Sequence, residues 1–368
     1  MTVETASVRL FISTSEMLKT ASLVLLGSLA CAMGLELMFL VLPTSTYTDT
    51  GYHIDPYIIT YRPNHEFTTS FGWNLEHPIR HRSNNLGFLS AHDFAPNPRA
   101  IAVIGDSFVD ASMLPDPTRV GDQIEHALPH RPIYAMGGPG SNLLDYAERI
   151  RYAADHLQVS DFVLIIERGD IKQVLCGSGN IHAICLDRST WKVRIELVPA
   201  PSRIKMILRH SSLLQYLLGH LRFNLGELLK HASRPTSPPV SEADVKAPSV
   251  WSDLTESDID KILTIFFERV APFKKRRLIV VLDSDRDAIN HGVIPTDSRR
   301  EFFMRRCREF GAEIIDTEPL FQDFVMRTGR HLEVSPIDKH WNGAATGLVA
   351  EAVRRAFEAR REPLPKTD

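Results

Sequence analysis

The chain has 368 residues, of which 43% are apolar and 24% charged, and its formal charge is −3. That composition lies near the globular average and excludes a fibrous, collagenous or wholly disordered protein. No excess of Lys and Arg advertises a nucleic-acid backbone as partner. Cys31, Cys176, Cys185 and Cys307 are too few and too scattered for a disulfide scaffold, and no CxxC or paired His–Cys spacing suggests a zinc site.

Residues 1–20 precede the stretch ASLVLLGSLACAMGLELMFLVL, residues 21–42, which is apolar except for Ser22, Ser28 and Glu36. This matches the roughly 20 residues that a helix needs to cross a bilayer. A cleaved signal peptide is the competing reading, but the run outlasts a usual h-region and no A-x-A site follows it. Cys31 is discounted as a lipidation site because the run stays apolar beyond it. Arg9 and Lys19 precede the span, whereas Asp49 and Asp55 follow it with no base before Arg62. The positive-inside bias therefore leaves 1–20 cytoplasmic and everything after Pro43 outside, periplasmic in a bacterium. Glu36 is read as an acid close enough to the outer end of the span to reach the interface.

Residues 43–99 read as an irregular lead-in that packs on a later core. From there, apolar runs at 100–104, 132–136 and 161–166 alternate with helical patterns near 118–128 and 142–157. Two further strands are expected at 277–282 and 312–316, with helices near 297–310, closed by Gly311, and 343–360. Alternating βα units imply a mostly parallel sheet covered by helices on both faces, a three-layer α/β/α sandwich. An insertion at about 172–275 is not required by that sheet. Within it, Pro201 to His231 carries an apolar stripe opposed by Arg, Lys and His, suited to packing over the α/β core or to lying on a membrane surface. Core packing is the expected fate. Residues 233–249 read as a mobile surface loop, and 361–368 as a tail. Cys176 and Cys185 flank a short loop and stand equally well as a disulfide or as two thiols.

Ser107 follows Ala102-Val103-Ile104-Gly105-Asp106, where a buried parallel strand turns into its helix. Open α/β sheets bind ligands beyond the carboxyl ends of their strands, and a helix start there aims backbone N–H groups at an anion. A serine so placed can attack a carbonyl while its own amide helps hold the oxyanion. Its base is expected to be His340, in Asp338-Lys339-His340-Trp341-Asn342 just before the last helix. Residues i and i+2 of an extended segment point the same way, so Asp338 can fix the imidazole tautomer and stabilise its charged form. Gly137-Gly138-Pro139-Gly140 lacks the Lys-Ser/Thr of a phosphate loop and the spacing of a dinucleotide fingerprint.

The blocks IAVIGDSF, YAMGGPGSN, IIERGD and DKHWNGAATGLVAEAV, in that order, resemble those of the SGNH or GDSL hydrolase superfamily. Residues 81–88, HRSNNLGF, are similar to the lead-in of membrane-anchored bacterial members, and the DxHWN ending resembles polysaccharide O-acetylation relatives. The resemblance runs from about residue 80 to 360, with the insertion unmatched. It implies a flavodoxin-like hydrolase domain over 100–360, with Ser107 as nucleophile, His340 as base, Asp338 as its partner and Gly137 as an oxyanion glycine. It also implies an acylated carbohydrate as substrate, envelope biosynthesis proteins as partners, and acyl chemistry that requires no cofactor.

The third block departs from the family pattern. Glu167-Arg168-Gly169-Asp170 places Gly169 where an asparagine donor is usual. Loss of one oxyanion donor lowers a rate by about 100- to 1,000-fold. Arg168 and Asn142 are the two substitutes by sequence. The opposing reading is a catalytically impaired glycan-binding or scaffold protein that keeps the hydrolase fold.

Overall fold

The computed structural model describes residues 14–178, 183–221, 253–273, 277–293, 297–336 and 338–359. The loop expected at 233–249 and the tail at 361–368 lie outside these. The chain divides into two units, one of residues 1–47, 70–78 and 202–234, the other of 48–69, 79–201 and 235–368.

In the second unit and the ribbons that lead into it, the strands run in chain order as β1 (Thr50–Asp55), β2 (Ile58–Tyr61), β3 (Glu66–Phe71), β4 (Glu76–Arg82), β5 (Ile101–Gly105), β6 (Ile133–Gly137), β7 (Asp161–Ile166), β8 (Ile184–Leu186), β9 (Val193–Ile195), β10 (Arg277–Leu282) and β11 (Glu313–Asp316). Five of them form a parallel sheet in the order β11-β10-β7-β5-β6. Numbered from β5, this is the doubly wound order 2-1-3-4-5, whose direction switches between β5 and β7.

The sheet is central because its strands are apolar on both faces. Ile101, Val103, Val163, Ile165, Ile279 and Val281 point to one core with the helices Val120–Ala127, Thr317–Thr328 and Gly343–Ala359. Ala102, Ile104, Phe162, Leu164, Val280 and Leu282 point to the other, with Leu143–Leu157, Glu256–Val270 and Ser298–Glu309. Each such buried aliphatic side chain contributes about 1.5–3 kcal/mol. The expected three-layer α/β/α sandwich is therefore present. Asn142 caps the helix Leu143–Leu157 through a capping box with Asp145, and Gly311 follows Ser298–Glu309 at φ +78°.

Two expectations need correction. The lead-in is not irregular, because β1–β2 and β3–β4 form two-stranded ribbons. Their Thr, Tyr and Phe residues favour strands even where one face stays polar. Ile58, Phe88 and Phe94 do pack into the main core. In the first unit, the described part of the apolar stripe forms the helix Arg203–Arg209, the turn of helix Ser212–Gln215 and its continuation to His220. Ser212–Gln215 packs against the amino-terminal helix Thr14–Val41, and Tyr216 stacks on its Phe39; that helix is long and apolar enough to cross a membrane. Cys176 and Cys185 are joined as a disulfide.

Candidate active site

Gly105 and Gly137 end the paired strands β5 and β6, and together they decide how closely the next turn of chain can cross. A Cβ on Gly105 would lie 2.6 Å from Val109 Cγ2, and one on Gly137 only 2.1 Å from the backbone nitrogen of Asp110. Only glycine lets the short helix Ser107–Asp110 settle over the sheet edge. Asp106 caps that helix by accepting the Phe108 N–H at 2.9 Å. On its outer side, the Tyr61 hydroxyl donates to Asp110 Oδ2 at 3.0 Å and the Thr69 hydroxyl to the Ser112 carbonyl at 3.0 Å. The ribbons of the lead-in thus brace the segment that carries the serine.

Ser107 Oγ lies 2.7 Å from His340 Nε2, and His340 Nδ1 lies 2.6 Å from Asp338 Oδ1. Residues 233 positions apart in sequence meet at the carboxyl end of β5, beside the switch point of the sheet. Asp338 Oδ1 also accepts the His340 backbone N–H at 3.1 Å, so one carboxylate oxygen fixes both the backbone and the ring. The three side chains are half-buried, which leaves the hydroxyl open to a substrate.

Electrostatics favour a charged imidazole. Burial works to lower the His340 pKa, but the hydrogen bond and charge of Asp338, with Asp106 behind them, carry it above the ordinary 6.5. Asp338 is held below the usual carboxylate range, chiefly by its hydrogen bond to His340. The neighbouring Asp106, 3.3 Å from Ser107 Oγ, is pushed up by burial.

The loop carrying the base is fixed from below by residues that no motif singles out. Asp283, fully buried after β10, pairs with Arg286 and accepts the Trp341 indole N–H at 2.8 Å. Arg286 donates to the Lys339 carbonyl and lies over the Phe108 ring at 5.4 Å. Asn342 caps the last helix through the amides of Ala344 and Ala345, and its own amide group donates to the carbonyls of His331 and Glu333. Arg286 thus holds Lys339 and Asp283 holds Trp341, the two residues that flank His340 in the chain, while Asn342 ties down the segment after them.

The oxyanion side is organised differently. Asn142 Oδ1 accepts the Leu144 N–H at 2.9 Å, and its Nδ2 donates to the Gln173 carbonyl at 3.3 Å. Asn142 is thus a helix cap through Oδ1, and one of the two N–H groups on Nδ2 is held by the Gln173 carbonyl. Arg168 Nη1 is taken by Asp285 Oδ2 at 2.6 Å. Asp170 is buried, accepts the Tyr146 hydroxyl and the Glu167 N–H at 2.8 Å each, and is pushed well above the usual range by burial and the charges of Asp106 and Glu167. Burial and the charges of Asp283 and Asp106 push Glu167 up to about 7. The Gly138 N–H donates to the carbonyls of Gly105 and Asp106, so in the parallel register the Gly137 amide faces away from β5. What the structure gives Gly137 is the close crossing of Asp110.

Among the described residues, one Cys/Glu group lies within ligand range, Cys176, Cys185 and Glu196. Both of its thiols are spent in the disulfide.

No protein-family model matches the chain, and no curated protein matches it. It is similar to a lipolytic G-D-S-L family protein from Veillonella parvula DSM 2008, at 12% identity over 70% of this chain and 98% of that one, TM-score 0.37. It is also similar to an alpha/beta hydrolase from the metagenome of Lake Arreo in Spain, at 14% identity over 73% and 99%, TM-score 0.39. A third likeness is to a carbohydrate acetylesterase from Sinorhizobium meliloti, at 10% identity over 71% and 99%, TM-score 0.35. At 10–14% identity these likenesses assign no residue a role, and what the chain shows of its own is the hydrogen-bonded line of Ser107, His340 and Asp338.

Proposed function

We propose that this chain is a membrane-tethered serine esterase or O-acyltransferase of the SGNH type, acting on an acyl ester of an extracytoplasmic carbohydrate. The observation that carries the proposal is the unbroken line from Ser107 Oγ through His340 to Asp338, at 2.7 and 2.6 Å. In that line His340 Nε2 takes the Ser107 proton as Oγ bonds to the ester carbonyl carbon, and the carbonyl oxygen becomes an oxyanion. The Ser107 amide and a further amide of the turn from Gly137 to Gly140 face that charge in our proposal. Collapse breaks the ester C–O bond, and the departing alkoxide leaves with the proton from His340. Water or a sugar hydroxyl then gives a proton to His340, attacks the acyl carbon, and returns Ser107 to its free form.

The carbohydrate and the acetyl group rest on the resemblance of the DxHWN ending, and the outward orientation on the charges flanking the apolar helix. The purified full chain should release p-nitrophenol from its acetate ester, and Ser107→Ala should reduce release to background. Equal rates for the two proteins would refute the assignment. Acetate release from an acetylated polysaccharide would then separate a sugar ester from other acyl esters.

A second reading is favoured by one observation: with glycine at position 169, both side chains that could replace the missing donor are bonded elsewhere. On that reading the domain binds glycan or scaffolds envelope assembly without turnover. It predicts no p-nitrophenol release from the wild type, together with saturable binding of an acetylated polysaccharide.

A further inference from the structure

Glu36 is the one charged residue in the 22-residue stretch 21–42, and the structure shows what satisfies it. Its oxygens accept hydrogen bonds from Ser211 Oγ at 2.6 Å, the Ser212 N–H at 2.7 Å and the Leu213 N–H at 3.0 Å. Further along the same helix, Phe39 stacks on Tyr216 with ring centroids 4.1 Å apart, and beyond the helix end the Ser45 N–H donates to His220 Nε2 at 3.1 Å. Residues 211–220 therefore run alongside 36–45 in the same direction, joined at both ends and the middle.

That pairing sets a depth. At a rise of 1.5 Å per residue, Glu36 lies about 9 Å inside Leu42, the outer end of the apolar stretch. An acid at that level is stable in a bilayer only with its partners beside it, and its partners are Ser211, Ser212 and Leu213. The segment that supplies them must follow Glu36 into the boundary between headgroups and acyl chains.

The rest of the segment is built for that boundary. Ile204, Ile207 and Leu208, at the i, i+3, i+4 spacing of one helix face, are exposed, with Ile207 at 73%. Leu218 and Leu221 are exposed as well. From Ser202 to Leu221 the sequence holds Arg203, Lys205 and Arg209 and no acid. Trp73, whose carbonyl accepts the Tyr216 hydroxyl at 2.7 Å, is 71% exposed, in keeping with the place of tryptophan at membrane interfaces. Exposed apolar side chains, bases and an indole on the segment clamped to the span and on its partner Trp73 fit an anionic bilayer surface.

We infer that residues 203–221 form a second membrane contact, an amphipathic element seated in the outer leaflet and clamped to the spanning helix through Glu36. The inference rests on the reading of 21–42 as a span. The test uses the full chain with Cys31→Ser and the buried free thiol Cys307→Ala, reconstituted in vesicles of phosphatidylcholine and phosphatidylglycerol. Single cysteines replace Ile207, Leu25 in the span and Met326, which is 75% exposed, as the water reference. Each carries an environment-sensitive fluorophore, read by lipids spin-labelled at different depths and by aqueous iodide. The Ile207 probe should be quenched most by labels about 5–10 Å below the headgroups and be shielded from iodide. Lipid quenching at Leu25 but iodide quenching at Ile207 equal to that at Met326 would overturn the second contact and leave the span standing. Iodide quenching at all three would overturn both. Glu36→Ala should move the Ile207 probe toward water while the Leu25 probe stays; an unmoved Ile207 probe would refute the clamp.

Discussion

The loop that carries His340 and the loop after β7 both flank Ser107's strand, yet they spend their polar atoms in opposite ways. Around His340, the carboxylate of Asp338 faces the imidazole, while Asp283, Arg286, Trp341 and Asn342 hold the loop from behind. After β7, Glu167, Arg168 and Asp170 bond one another's backbone, Asp285 or Tyr146. One loop prepares a base, and the other is tied into the fold. In the proposed mechanism, proton transfer is built from side chains and oxyanion stabilisation falls to backbone amides.

The largest break in that contrast comes from Ser107→Ala, which should lower esterase turnover by about 10,000-fold or more, to the residual level of a site without its nucleophile. Asp338→Asn should lower kcat by about 100- to 10,000-fold, because the imidazole loses the partner that fixes its tautomer. The pH profile sharpens the same point. His340 must be neutral to take the serine proton, so the rate falls as pH drops through its raised pKa, and the acid limb of kcat/KM should lie above pH 6.5. Removing the Asp338 charge removes the cause of the rise, so in Asp338→Asn that limb should move to lower pH; a limb that stays put would separate the titration from His340.

Asp283→Ala probes the frame instead of the proton path. It takes from the buried Arg286 its closer carboxylate, leaving Glu333 at 3.7 Å, and leaves Trp341 Nε1 without an acceptor, a loss of about 3–5 kcal/mol in chemical denaturation. Gly137→Ala places a methyl 2.1 Å from the Asp110 backbone, so a destabilisation of about 1–3 kcal/mol is expected, with activity falling alongside as the serine helix shifts. The smallest effect belongs to Arg168→Ala. With its guanidinium already held by Asp285, turnover should stay within about tenfold of wild type, short of the 100- to 1,000-fold that loss of a true oxyanion donor produces. A larger fall would return Arg168 to the site.

How much of this the sequence discloses depends on the range of the interaction. β7 and β10 end where their continuous apolar runs do and begin one charged residue earlier, at Asp161 and Arg277, because a strand buried on both faces reads as an unbroken apolar run. The Asp338–His340 pair is equally legible, being set by local extended geometry. The lead-in ribbons are not, since their polar Thr, His and Asn positions hide a one-sided burial. Asn142 shows the same limit from the other side: its type suits both an oxyanion donor and a helix cap, and only the structure shows the capping box with Asp145. The Asp283–Arg286–Trp341 frame joins residues 58 positions apart, and Glu36 meets its partners 175 positions away, so nothing in the neighbouring residues announces either.

The central claim is that Ser107 is an activated nucleophile. A fluorophosphonate probe followed by peptide mass spectrometry measures this directly. Covalent labelling at Ser107 in the wild type, abolished in His340→Ala, is the predicted result. A wild-type protein that folds and yet takes up no label at Ser107 would contradict it.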